Sequence, residues 1–180
     1  MENTISFISI LNDNNKMLKE EMFFLYPNDY YYRVNNWEPI LYMLHQSLYA
    51  EEMVCAMSSE LFHIPETKNL KGSREMHNHL IPASYHRVTA VGSAQRLKNG
   101  EQQQTIVETM TACIVNAETQ DKKVREGLKI MEENASPNYI AFIKVIIKWQ
   151  EQAESYLNQA KEALRSMGVS FPVGSEQQNY

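Results

Sequence analysis

Carboxylates and histidines are the groups in this chain whose spacing could do chemistry. Glu60-Leu-Phe-His63 sets a carboxylate and an imidazole one helical turn apart, where both could ligate one metal ion. Glu51 and Glu52 lie upstream in the same stretch. Glu118 and Asp121 form one closely spaced pair of carboxylates, and Glu151 and Glu154 form another. Antiparallel helices would bring the two pairs to about the same height. The same groups also suit charged faces in water, since Lys122, Lys123 and Lys148 lie near them. His77, His79 and His86 could chelate a transition metal, but they lack a Cys or acidic partner and read as exposed residues around a loop. Cys55 and Cys113 sit among apolar neighbours and read as buried, reduced thiols. There is no Gly-x-Ser-x-Gly, no phosphate-binding or dinucleotide glycine motif and no Cys-x-x-Cys. The motif content points away from an enzyme, and no cofactor is expected.

In outline the chain resembles the ferritin-like diiron proteins, whose bundles carry a Glu on each of two helices and Glu-x-x-His on two others. That resemblance implies a carboxylate-bridged metal-binding or oxidase protein using some of Glu51, Glu52, Glu60, His63, Glu118, Glu151 and Glu154. The sequence departs from the pattern in two places. Glu151-Gln-Ala-Glu154 has Glu where the second His belongs, and Glu60–His63 closes its helix instead of lying mid-bundle.

The elements that must position these groups are helices. Val107, Met110, Ile114, Ala117, Asp121, Val124, Leu128 and Met131 alternate three- and four-residue steps, and so do Tyr139, Ile143, Ile146, Gln150, Ala153, Leu157, Ala160, Leu164 and Met167. Asn134-Ala-Ser-Pro137 separates the two runs, with Ser136 as N-cap and Pro137 in the first turn. Folding there pairs the runs layer by layer and sets Asp121 opposite Gln150, a structural polar layer in an otherwise apolar seam. The stretch 139–149 is apolar nearly all round and needs covering, whereas 150–167 narrows to a two-helix seam. The second half of the hairpin is therefore expected to project, with Leu157 and Leu164 as candidate partner-binding residues.

Upstream, Asn36 reads as the N-cap of a helix from Trp37 to about Phe62, and Pro82 as the opening of a shorter helix ending before Gly100. Residues 3–25 read as a short N-terminal helix or apolar arm. Tyr26 to Arg33 is a tyrosine-rich loop, and Tyr30, Tyr31, Tyr32 and the nearby Trp37 are candidate partner-binding residues, since aromatic side chains are enriched at interfaces. Ten methionines could fill the core or line an adaptable groove.

These elements imply an all-α fold: an up-and-down helical bundle of four main helices plus a short N-terminal helix or arm, ending in a long antiparallel hairpin. Residues 1–168 form a single domain and 169–180 a flexible tail. A net charge of −5, with no basic stripe, argues against nucleic acid. No apolar run reaches the length of a membrane span, and the N-terminus is a poor signal peptide. The expected setting is the cytoplasm, or export without a cleavable signal. The function expected is a non-enzymatic protein–protein interaction module: a scaffold, a secretion-related protein or chaperone, or an assembly subunit with a protein partner or a second copy.

Overall fold

A seven-residue rhythm of inward-facing positions organises the molecule. The computed structural model describes residues 36–101 and 103–172. The expected N-terminal arm, with Tyr30, Tyr31 and Tyr32, lies outside them. Every regular element among the described residues is an α-helix: α1 (Glu38–His63), a single turn α2 (Pro65–Lys68), α3 (Ser73–Lys98), α4 (Gln104–Asn134) and α5 (Pro137–Ser166). The buried positions of α1 include Ile40, Leu44, Ser47, Glu51, Val54, Ser58 and Leu61, with Pro39, Leu41, Met43 and Ala50 beside them. In α3 they include Ser73, Met76, Leu80, Ala83, Arg87, Ala90, Ala94 and Leu97. Together with the corresponding sets in α4 and α5, each main helix offers one stripe at alternating three- and four-residue spacing.

Local chemistry sets the ends. Pro39 and Glu38 occupy the first turn of α1, a favourable place for a fixed φ and a negative charge. Trp37, not Asn36, is its N-cap. Ile64 stops it in extended backbone, as a residue before proline prefers. The Thr67 hydroxyl then donates to Leu61 O and Ile64 O, closing the corner. Gly100 and Gly168, past the ends of α3 and α5, take φ of +91° and +84°, the left-handed region glycine enters without penalty.

Pro82 does not open α3. It lies inside a helix that begins at Ser73. An interior proline removes a backbone hydrogen bond and costs about 3 kcal/mol. Burial of Met76 and Leu80 on its N-terminal side offsets that cost. The longer α3 removes the length mismatch on which the expected projection rested, because the main helices are 26, 26, 31 and 30 residues long.

α4 and α5 each have a closer neighbour than the other. α4 lies nearest α3, and α5 lies nearest α1. Ser47 of α1 donates to Ala153 O of α5 at 2.7 Å, and Tyr49 meets Trp149 edge-on. At the start of α3 the backbones of Gly72 and Gly127 approach so closely that a Cβ on Gly127 would stand 2.7 Å from Met76 N. Leu157 and Leu164 are fully buried with Trp37, Ile40, Leu44 and Ile114. The second half of α5 is thus covered by α1, and burying a leucine there stabilises by roughly 1.5–3 kcal/mol. Past Gly168, Val169 is buried and Phe171 lies under Lys161 and Arg165.

Two apolar clusters fill the interior. One gathers Trp37 to Leu44, Ala90 to Leu97, Ile106 to Ala117 and Leu157 to Val169. The other gathers Val54, Leu61, Met76, Leu80, Val124 to Met131, Ile143 and Ile146. Between them lies a polar layer.

Candidate functional site

Each main helix contributes at least one polar side chain to that layer, at an inward position of its stripe: Glu51 from α1, Arg87 from α3, Asp121 from α4 and Gln150 from α5. All four are at most 2% exposed. The Arg87 guanidinium is the hub. It grips Asp121 with both fork nitrogens, Nη1 to Oδ1 at 3.0 Å and Nη2 to Oδ2 at 2.7 Å, and its Nε donates to Ser47 Oγ at 2.9 Å. A bidentate, charge-assisted pair is the strong form of this interaction. Gln150 Nε2 donates to Asp121 Oδ1 and to Glu154 Oε1, each at 3.2 Å. Ala83 and Ala90, one turn either side of Arg87 on the same face, leave the volume its long side chain needs.

Glu51 is the anomaly. Its Oε2 lies 3.5 Å from Arg87 Nη1, an ion-pair distance, yet neither carboxyl oxygen accepts a hydrogen bond. Gln150 Oε1 is a third acceptor here without a donor. Burial pushes the Glu51 carboxyl up to about 7 against the pull of Arg87, with Asp121 and Glu154 adding to the rise. Burial also raises Glu154, while its bond from Gln150 and its pair with Arg125 oppose the shift. Burial and nearby carboxylates push Cys55 up to about 11, and burial raises Cys113, so neither thiol is activated.

Cations interleave the carboxylates expected at one height. Glu118 pairs with Lys161, Asp121 with Arg87, and Glu154 with Arg125 at 3.3 Å. Glu151, Glu52, Glu60 and His63 are exposed. Among the described residues no three His, Cys, Asp or Glu stand together as a metal site, so the set Glu51, Glu52, Glu60, His63, Glu118, Glu151 and Glu154 is not assembled. The histidines expected around a loop are helical: His77 stacks on Phe62 and His79 Nδ1 meets Gln120 Oε1 at 2.6 Å. Of the candidate partner-binding residues, Trp37, Leu157 and Leu164 face inward.

A different surface stands open. Ile81, Tyr85 and Val88 are 68%, 66% and 53% exposed and share the outer face of α3, opposite its buried stripe. Tyr42 and Tyr49 lie one above the other on the outside of α1, also more than half exposed. Sequence reading missed the α3 face because a helix starting at Pro82 leaves Ile81 in a loop. The i, i+4, i+7 spacing of the three was the available signal. No helix among the described residues is long and apolar enough to cross a membrane. Comparison with family models, with curated proteins and with solved structures finds no match to this chain.

Proposed function

We propose that this protein is a non-enzymatic helical interaction module, a scaffold or assembly subunit that binds a protein partner through the outer face of α3. The observation that supports the reading is the Ile81–Tyr85–Val88 stripe: three large apolar side chains held in water on a rigid helix whose opposite face is locked into the core. An apolar face of this spacing suits a partner helix with an apolar stripe of its own. The reading takes the four main helices as an up-and-down bundle, with α4 and α5 as its closing antiparallel hairpin.

The test compares the full chain with a Tyr85→Glu, Val88→Glu variant. Light scattering after size exclusion reads self-association, and affinity capture from the native cell, with partners identified, reads binding. The expected result is a defined assembly or partner that the variant loses while its helical content and unfolding midpoint stay the same. A strictly monomeric particle that retains no partner, or a variant that binds like the parent, overturns the proposal.

A further inference from the structure

We propose that the Glu51 carboxyl is a buried proton-binding site, through which the helical core tightens in mild acid and slackens as the pH rises past neutrality. The argument is first a count of donors and acceptors. Arg87 gives Nε to Ser47 and its Nη1 and Nη2 to Asp121. Gln150 gives its amide protons to Asp121 and Glu154, and Ser47 gives its proton to Ala153 O. Arg87 keeps one further N–H on each Nη, but neither meets Glu51 in hydrogen-bond geometry: Nη1 stands 3.5 Å from Oε2, both Glu51 oxygens are shut away from water without a donor, and Gln150 Oε1 in the same layer has none either. An added proton eases this mismatch, turning Glu51 from a pure acceptor into a group that can donate, in a layer where an amide oxygen also lacks a donor.

Charge gives the same answer. Besides burial, the groups that act on Glu51 are Arg87 on α3, Asp121 on α4 and Glu154 on α5; on its own helix Glu51 and Glu52 act together on Cys55. With Glu51 ionised, one guanidinium faces two fully buried carboxylates, while the half-buried Glu154 has Arg125 as its own partner. Protonation removes the surplus negative charge from a place where water cannot screen it. The surplus falls where all four main helices contribute a side chain, so repulsion there bears on the whole cross-section.

The direction follows from linkage. The folded protein holds the Glu51 proton more tightly than the unfolded chain, with an affinity raised from 4.5 to about 7. Its favourable contribution is complete below about pH 4.5, declines between there and about 7, and is gone above. A shift of that size changes the folding constant by roughly two orders of magnitude or more.

Urea unfolding of the full chain and of Glu51→Gln, from about pH 5 to about pH 8.5, tests the proposal. The glutamine keeps shape and volume without the titration. His86, its proton affinity lowered by burial, titrates in both proteins and cancels in the comparison, whereas Glu154 is coupled to Glu51 and its response belongs to the same site. The expected result is that the parent's folding constant falls about 100-fold more than the variant's over that range. Parallel profiles overturn the proposal. If the variant does not fold, the carboxyl carbon resonance of Glu51 in the parent decides. A midpoint near neutrality supports the site, and one in the ordinary carboxylate range overturns it.

Discussion

Arg87 is the side chain on which most of the interior depends. Its guanidinium satisfies Asp121, holds Ser47 and faces Glu51, at 1% exposure. Arg87→Met fits the volume but strands two carboxylates, and breaking a buried pair from one side costs about 3–5 kcal/mol. Arg87→Lys keeps the charge and loses the planar fork, so its loss should be smaller but still clear. Urea unfolding of the three proteins should rank them parent, lysine, methionine. A methionine variant as stable as the parent would mean that the guanidinium offsets no more than its own desolvation. Half of this layer was legible beforehand. Asp121 and Gln150 interrupt apolar runs, and a lone polar residue in an apolar rhythm is easy to see. Glu51 and Arg87 were not legible as partners of that pair, because a charged residue in a helix is ordinarily a surface residue.

At the scale of the helices, legibility followed how apolar each inward stripe is. Residues 107–131 and 143–167 announce themselves, since only one inward position in each is strongly polar. In α3 the same rhythm is written in Ser73, Ala83, Arg87, Ala90 and Ala94, a set that reads as solvent-facing, and Pro82 offers a false start. In α1, Ser47, Glu51 and Ser58 occupy inward positions, and that rotates the apparent stripe away from the true one. Small residues in α3 have a structural reason, which is the close passage of α3 along α4. Gly127→Ala should therefore cost at least 2 kcal/mol, since the new methyl would sit 2.7 Å from Met76 N and 2.8 Å from Met76 Cβ. Gly92→Ala, in the same helix pair but with nothing within 4 Å, should instead stabilise by about 0.5–1 kcal/mol. Thermal unfolding of both variants checks the pair, and a neutral Gly127→Ala would mean that the two helices separate easily at that end.

For the molecule as a whole, the all-α class was readable from composition and periodicity, whereas the open apolar surface was not. It depends on which side of α3 faces out, and that follows from a helix start that the local sequence obscures. The two apolar clusters on either side of the polar layer have a consequence for motion. Hydrophobic attraction holds each half together, and across the middle cohesion rests on hydrogen bonds and charge. One half can come apart while the other persists, and deuterium uptake by the native protein should then sort the slow amides into two classes, around Leu128 and Ile143 and around Ile114 and Leu157. A single class opening at one free energy would show that the layer couples the halves into one cooperative unit. Two classes, by contrast, would mean that the chain behaves as two short helical units joined end to end, each with its own fraying rate, and that raising the pH loosens the joint between them.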